Sequence, residues 1–421
     1  MKKKVAIISF VFPPFPGIGG RRWAKFSHYL SLKGYDIDIV CAQNPFNEIS
    51  FWDRDTKAKN IHIHYLPLMY PKILLKVPKN LAGKIKYQFW KMVLSLYSRG
   101  TIFERSIFWK KELNKTITKL IQTKEINNVI VSVPPFRLAF YAHLVKKKIP
   151  NINFIVDYRD PWTDNKTFHG FKDITNSRLQ NEKKMEQEVL NIADHIFTVS
   201  DKMTEDLKKR SKYPAKISTL PNGFDPRDIP IFKNNLSELK EQKRIELIYA
   251  GTLYNNLEYI FRPLLSYLFE LKKTNINLYN SISFKFYGIH NKELKEIINH
   301  IDSSAISIHD PVSLVEIQQI IQNSTFGVLM SAPDHSFAFN TKFYEYLSNN
   351  KPILLFSNKG ETSDFIVRNR LGFHVNPNTL KKDMDYLWVN MSRIIEGFND
   401  KFDINPYSIQ NITIELEKWL K

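Results

Sequence analysis

Short, almost wholly apolar runs alternate along the chain with longer segments whose apolar residues recur every three or four positions. The first run, residues 4–12, contains Val5-Ala6-Ile7-Ile8. A run this short, without polar alternation, predicts a strand buried on both faces. Pro13 to Gly20 follows as a loop, then a helix from Trp23 to Lys33 ended by Gly34, then a strand at Ile37–Val40. Further strands are predicted at Val129–Ser132, Phe154–Asp157, Ile196–Ser200 and Ile217–Leu220. Helices from about Phe136 to Lys147 and Glu182 to Ala193 lie between them, and Ser200 or Asp201 caps another.

Pro221-Asn222-Gly223-Phe224-Asp225-Pro226 punctuates the chain and predicts a domain boundary. The alternation then restarts, with strands at Leu247–Ala250, Ser283–Tyr287, Ile306–Ile308, Phe326–Met330, behind Pro352, and at Gly372–Val375. Helices are predicted from Leu257 to Lys272, from Leu314 to Gln322, and from a cap at Asn340 or Thr341. Strands alternating with helices predict an α/β fold of two doubly wound, Rossmann-like domains. The expected division is 1–225, 226–400, and a tail helix within 401–421 packing across the boundary.

Composition changes this picture in three places. Among 421 residues, 61 Lys and Arg face 42 Asp and Glu, a net charge of +19. Such an excess points to acidic partners: phosphorylated ligands, an anionic membrane or nucleic acid. The single cysteine, Cys41, ends an apolar strand and reads as a buried structural thiol, which fits a reducing cytoplasm. Lys2-Lys3-Lys4 before an apolar run imitates a signal peptide, but Pro13-Pro14 and Gly19-Gly20-Arg21-Arg22 follow without a small-residue cleavage site. No apolar stretch reaches the roughly 18 residues of a membrane span. The expectation is a cytoplasmic protein, with peripheral attachment to the inner face of the cell membrane as an option.

Much of the positive charge lies between residues 65 and 119, where 12 Lys and Arg meet only Glu104 and Glu112. Aromatics interleave them, among them Tyr87, Phe89, Trp90, Tyr97, Phe108 and Trp109. Leu81 to Leu96 can form a helix with Phe89, Met92, Val93 and Leu96 on one side. A basic amphipathic helix with aromatics suits an anionic bilayer surface, and equally a solvated face over an ordinary core. No nucleic-acid recognition motif appears, so nucleic acid is not an expected partner.

Candidate chemistry gathers at predicted strand ends. Gly17-x-Gly19-Gly20 precedes a helix, but Arg22 stands where a dinucleotide fingerprint needs its third glycine, so a nicotinamide site is not expected. The loop can still offer backbone N–H groups to an anion, with Arg21 and Arg22 adding charge. Tyr158-Arg159-Asp160-Pro161-Trp162 leaves a strand at the end where α/β folds bind ligands, directly after Asp157. Lys342 falls in the first turn of a short helix, where the dipole disfavours a cation unless an anion also binds. Glu345, three residues on, shares its face. A cation for phosphate beside a carboxylate for hydroxyls suits a nucleotide diphosphate sugar; an ordinary surface pair is the plain alternative.

In order and spacing, these pieces resemble the retaining glycosyltransferases of family 4. They are the opening strand with Pro13-Pro14 and Gly19-Gly20, the Asp157 to Trp162 block, Ala193-Asp194-His195-Ile196, Leu220-Pro221-Asn222-Gly223-Phe224-Asp225, Tyr249-Ala250-Gly251-Thr252-Leu253, and Lys342-x-x-Glu345 followed by Lys351-Pro352-Ile353. The resemblance covers nearly the whole chain apart from about 44–120. It implies a GT-B fold, with two Rossmann-like domains facing a central cleft. It implies transfer from a nucleotide-diphosphate sugar, most simply a UDP-sugar, of a hexosyl or N-acetylhexosaminyl group without a metal cofactor, the leaving phosphate acting as base.

Residue by residue, the resemblance implies that Lys342 and Arg262 meet the diphosphate and Glu345 the donor ribose. Gly19 and Gly20 face the donor from the first domain, while Gly251, Thr252, Gly288, Val312 and Thr341 line its site and Glu361 approaches it by a loop. Arg159 stands where many relatives place a histidine near the transferred sugar. Asp160, Asp157 and Arg21 are candidates for sugar or acceptor contacts. The family's first paired glutamate is replaced by Phe337. The implied acceptor is a glycan, most naturally a lipid-linked or cell-surface polysaccharide precursor such as lipopolysaccharide or capsule. A sugar-nucleotide epimerase of the same fold, or a non-catalytic glycan- or nucleotide-binding protein, are the competing readings.

Overall fold

The computed structural model describes residues 3–75, 77–98, 104–165, 171, 174–229, 244–253, 255–288, 305–333 and 339–421. Phe337, the loop directly after Gly288, and Lys76, Arg99 and Phe103 of the basic insertion lie outside these residues. The chain forms two compact units, Met1–Pro221 with Ile409–Lys421, and Asn222–Ser408. The division falls four residues before the position 225 read from the punctuation, and the last helix belongs to the first unit.

The first unit is built on seven parallel strands: β1 (Lys4–Ser9), β2 (Asp36–Ala42), β3 (Ile61–Leu66), β4 (Asn128–Val133), β5 (Asn153–Tyr158), β6 (His195–Thr198) and β7 (Ile217–Thr219). Their order is β3-β2-β1-β4-β5-β6-β7. Every residue of β4 and β5 is buried, as expected of largely apolar strands covered on both faces. Helices α1 (Arg21–Leu32), α2 (Leu81–Tyr97), α3 (Lys110–Lys124), α4 (Arg137–Lys148), α5 (Asn176–Ile192) and α6 (Asp201–Lys208), the last capped by Ser200, accompany them.

Three elements of this unit depart from the pattern expected. β3 was not anticipated because His62 and His64 interrupt its apolar residues; both rings sit on carboxylates of β2, Asp36 at 2.9 Å and Asp38 at 2.6 Å. α3 was hidden by its lysines. α5 starts six residues before Glu182, where the Thr175 side chain accepts the Arg178 N–H.

α2 forms where the sequence places it, but it turns its apolar stripe outward. Leu81, Ile85, Phe89, Met92 and Leu96 are 53–82% exposed, and Leu94 is its one buried residue. Their spacing puts them on a single side of the helix. Arg178 of α5 holds its last turn through the Ser95 hydroxyl at 2.9 Å.

The second unit repeats the plan with β8 (Ile245–Ala250), β9 (Ile282–Tyr287), β10 (Ile306–His309), β11 (Phe326–Met330), β12 (Ile353–Phe356) and β13 (Gly372–Val375). The order β10-β9-β8-β11-β12-β13, all parallel, is that of a dinucleotide-type sheet. Around it lie α7 (Glu258–Thr274), α8 (Ile276–Ser281), α9 (Leu314–Gln322), α10 (Thr341–Ser348), α11 (Glu361–Arg368) and α12 (Leu380–Glu396). The final helix, α13 (Ile409–Glu417), adds Ile409, Ile412 and Leu416 to the core of the first unit. Beyond it, Trp419 stacks on His195 at 3.5 Å and accepts at its carbonyl from Asn153 at 2.7 Å.

Tyr346 sets the seat of α10. Its hydroxyl accepts the Ala250 N–H at 3.1 Å and lies 3.1 and 3.2 Å from the carbonyls of Ile248 and Val328. Its ring lies against Gly327, where an added Cβ would stand 2.3 Å from the ring carbon Cγ. Gly327→Ala should therefore lower the stability of this unit by about 1–3 kcal/mol through overpacking. Tyr346→Phe should cost about 1–3 kcal/mol by leaving buried backbone groups unpaired. Urea denaturation checks both; an unchanged midpoint in either variant contradicts this account of the α10 seat.

Candidate active site

In each sheet the strand order reverses beside the first strand, at β1 and β4 in one unit and at β8 and β11 in the other. Loops leaving the C-terminal ends of those strands diverge, and such points are where doubly wound sheets bind ligands. The predicted site residues divide between these two edges.

At the first edge, Asp157 and Asp160 have different roles. The Asp157 carboxylate is fully buried and receives Arg22 Nε at 3.1 Å, Arg22 Nη2 at 2.9 Å, Trp23 Nε1 at 2.8 Å and Ser132 Oγ at 3.2 Å. Arg22 continues to the carbonyls of Pro221 at 2.7 Å and Leu220 at 2.8 Å. Asp157 is thus part of the frame and offers no acceptor to a sugar hydroxyl, contrary to the expectation from the sequence. Arg22, expected to add charge to the glycine loop, is spent on the same frame. Arg21 is buried at the first position of α1.

Arg159 clips three loops together. Its Nη1 donates to the Gly19 carbonyl at 2.7 Å, its Nε to Val133 at 3.3 Å, and its Nη2 to Pro134. Burial among carbonyls lowers its pKa from the usual value, while Asp160 and Asp157 oppose the shift. Its charge therefore stands at the strand edge with its N–H groups engaged. Asp160 is half-buried and, among the described residues, makes no hydrogen bond. Burial pushes its pKa up to about 6, with Arg159 pulling the other way. A carboxyl that titrates this close to neutrality, at a strand end, can take or give a proton.

A buried network that the sequence did not reveal holds this edge from behind. Glu104, from the basic insertion, accepts the Phe136 N–H at 3.0 Å and the Ser106 hydroxyl at 2.9 Å, and burial pushes it up to about 7. Glu182 accepts the Trp162 indole at 2.7 Å, and Trp162 stacks on Phe136 at 5.3 Å. Glu186 pairs with Arg210 at 2.8 Å. These contacts fix Pro161 to Thr163, and so the direction in which Asp160 points away from β5.

At the second edge, the Asn340 side chain caps α10 by accepting the Phe343 N–H at 3.0 Å. Thr341 is the first residue of the helix. Lys342 lies in the same turn, half-buried, with Nζ 2.7 Å from Glu345 Oε2. Gly251 and Thr252 follow β8; the Thr252 carbonyl accepts the Tyr249 hydroxyl at 2.9 Å. Gly288 follows β9 at φ 136°, and a Cβ there would meet the Gly251 carbonyl oxygen at 2.2 Å. The two strand ends therefore touch backbone to backbone, an approach only glycine allows.

Val312 packs on the apolar cluster under α10. Glu361 opens α11, half-buried. Arg262, on the second turn of α7, is exposed and paired with Glu258, Nε to Oε1 at 2.6 Å. Among the described residues, no group of three or more His, Cys, Asp or Glu side chains is placed to hold a metal ion.

Comparison with known proteins agrees with this plan. A family model described as Glycosyltransferase Family 4 matches residues 91–228, which include the Asp157 to Trp162 block. Solved structures share the fold across the whole chain. Sucrose-phosphate synthase from Thermosynechococcus elongatus is 9% identical, with a TM-score of 0.66, covering 99% of this chain and 98% of its own. WaaG, a glycosyltransferase involved in lipopolysaccharide biosynthesis, is 10% identical, with a TM-score of 0.60, covering 98% and 99%. A putative UDP-N-acetylglucosamine 2-epimerase from Listeria monocytogenes is 15% identical, with a TM-score of 0.57, covering 99% and 95%. Among curated proteins none matches. The resemblance read from the motifs thus holds at the level of a family model over residues 91–228, and the fold is that of the GT-B glycosyltransferases.

The two carboxylates predict opposite behaviour. Asp157→Ala leaves Arg22 buried without its partner and should cost about 3–5 kcal/mol. Burial pushes the Asp160 carboxyl up to about 6, above the ordinary aspartate value, so its ionised form disfavours the fold. That penalty is absent below the unfolded pKa and fully present above pH 6. Asp160→Asn should match the wild type below about pH 4, become the more stable of the two as pH rises from about 4 to about 6, and keep that advantage above. Guanidinium denaturation across that range checks both statements; an Asp160→Asn deficit that grows with pH runs against the assignment.

Proposed function

We propose that this chain is a retaining glycosyltransferase that moves a sugar from a nucleotide-diphosphate sugar, UDP-linked by preference, to a glycan acceptor. The observation that carries the reading is the Lys342–Glu345 pair on the first turn of α10, at the C-terminal edge of β11. A cation in a first turn is electrostatically misplaced until an anion joins it. In this reading a diphosphate takes Lys342 from Glu345, which turns to the ribose hydroxyls. Charge developing on the leaving phosphate is then met by Lys342 and the α10 N-terminus, with Arg262 as a second cation once it leaves Glu258.

Asp160, free of hydrogen bonds to the described residues, is the group we assign to the sugar or acceptor hydroxyl. The charge of Arg159 favours its ionised form. The glycine loop, clipped by Arg159 at the Gly19 carbonyl, is the part of the first unit we assign to the donor phosphates. No metal is required in this scheme.

The acceptor we propose is a lipid-linked or cell-surface polysaccharide precursor, met at an anionic membrane surface. Its support is the outward apolar stripe of α2, flanked by Lys84, Lys86 and Lys91. Such a face suits the boundary between headgroups and acyl chains. Among the described residues no helix is long and apolar enough to cross a membrane. The same stripe favours transfer over epimerisation, since an epimerase needs only the nucleotide sugar.

A panel of nucleotide sugars read by mass spectrometry tests the activity. Lys342→Ala and Glu345→Ala should each cost about 2–4 kcal/mol in kcat/KM or donor affinity, that is, tens- to several-hundred-fold. Near-wild-type turnover in both removes them from the site. Co-sedimentation tests the membrane reading. The wild type should pellet with phosphatidylglycerol vesicles and detach as salt rises, whereas Phe89→Glu/Met92→Glu should stay in the supernatant. Equal binding to neutral vesicles, or to either kind by the double variant, would count against it.

A further inference from the structure

A second feature of the first unit belongs to none of the residues assigned above. Helices α3, α4 and α5 border a groove of about 1280 Å³. Lys111, Lys115 and Lys119 of α3 line it at four-residue intervals, so three like charges stack on one side of the helix. That arrangement is unfavourable for an isolated helix and brings no ion pair in return. Lys110, Lys148 and Lys184 add to the lining, and among the described residues no carboxylate does.

Arg137 is also part of the groove wall, almost wholly buried. Its Nε has no hydrogen-bond partner, while its Nη2 is ion-paired with Glu182 at 3.5 Å. Glu104, which also acts on Arg137, is pushed up to about 7, chiefly by burial. Among the described residues the six lysines of the lining make no ion pair, so most of the positive charge of the groove is uncompensated.

The remaining lining decides what kind of anion fits. Aromatic side chains line it as well: exposed Tyr97 and half-buried Phe108, whose rings pack at 5.0 Å, and half-buried Phe140, with Tyr141 buried behind them and its hydroxyl donated to the Ile107 carbonyl at 2.8 Å. Between them stand amides and hydroxyls, including Asn114, Thr118 and Asn181. An acyl chain has no use for those polar groups. Saccharide rings use all three: apolar faces for stacking, amides for hydroxyls and lysines for acidic substituents.

We propose that this groove binds an acidic stretch of glycan, a saccharide chain carrying carboxylate or phosphate groups, apart from the site of sugar transfer. The choice of a glycan rests on the transferase reading; the groove and its charge do not. In such an enzyme the groove grips the acceptor chain at a distance from the residue being extended, so binding energy from remote sugars is spent on holding the acceptor in place.

The test uses the full-length chain and fluorescently labelled hexagalacturonate as the probe, with maltohexaose as its neutral counterpart. The acidic probe should bind, the neutral one should not, and Lys115→Glu/Lys119→Glu should weaken binding by about tenfold or more. Both lysines are exposed, so folding should be unaffected; UDP binding measured by calorimetry should be unchanged in the variant. Absence of hexagalacturonate binding at low salt, equal binding of maltohexaose, or unaltered affinity in the charge-reversed variant overturns the proposal. So does a hexathymidylate that displaces the glycan and binds more tightly. If hexagalacturonate behaves as expected while no nucleotide or nucleotide sugar binds, the groove stands and the transferase reading falls.

Discussion

The arrangement of the first unit depends on one buried ion pair. Asp157 and Arg22 are 135 residues apart and meet with two hydrogen bonds in the interior. Removing two charges from water is costly, and the cost is offset only when the remaining donors and acceptors are also satisfied. Here they are. Trp23 and Ser132 complete the carboxylate, and the carbonyls of Leu220 and Pro221 complete the guanidinium. One pair therefore fixes the start of α1, the ends of β4 and β5, and the point where the chain leaves the unit. An apolar pair of equal volume could fill the space, but it could not specify those four positions together.

The second unit reaches the same end with a neutral group. The Tyr346 hydroxyl lies among backbone groups of β8 and β11, and Gly327 leaves room for its ring. In both units the residues that hold the frame are thus distinct from those free to act on a ligand. Arg159 stands between the two classes, because its hydrogen bonds go to the backbone while its field reaches outward. Asp160 and the Lys342–Glu345 pair keep capacity to spare. Side chains at a strand edge do not all serve chemistry, and satisfaction of their hydrogen bonds is what separates them.

That separation explains what could be read from the sequence. The apolar runs at Val5–Ile8, Phe154–Val156 and Phe326–Met330 declare strands because burial on both faces permits little else. Caps such as Ser200 and Asn340 are local, so they too are legible. β3 escaped because its histidines answer to aspartates on the neighbouring strand, and α3 because its lysines break the apolar period. Asp157 was misread for a deeper reason. A carboxylate at a strand end looks alike whether it faces substrate or arginine, and the arginine lies more than a hundred residues away. The roles of Glu104 and Glu182 depend on the same kind of distant partner. The outward turn of α2 was half legible: its period was plain, but which side the unit would cover was not.

The excess of positive charge in the basic insertion divides between two surfaces. Within the basic insertion, the lysines of α2 flank an apolar stripe, while those of α3 line a groove with polar walls. The two surfaces ask for different partners, since a bilayer offers apolar depth beneath its charge and a glycan offers hydroxyls beside it. Tyr97 belongs to both: it ends α2 and lines the groove. A chain that rests α2 on a membrane therefore brings the groove to the same surface, and whatever anionic polymer is anchored there meets it without a further search. This coupling needs no conformational change, only that α2 and α3 be held in one unit. Arg178 on Ser95 and the Glu104 contact with Phe136 hold the end of α2 and the residues before α3 to that unit.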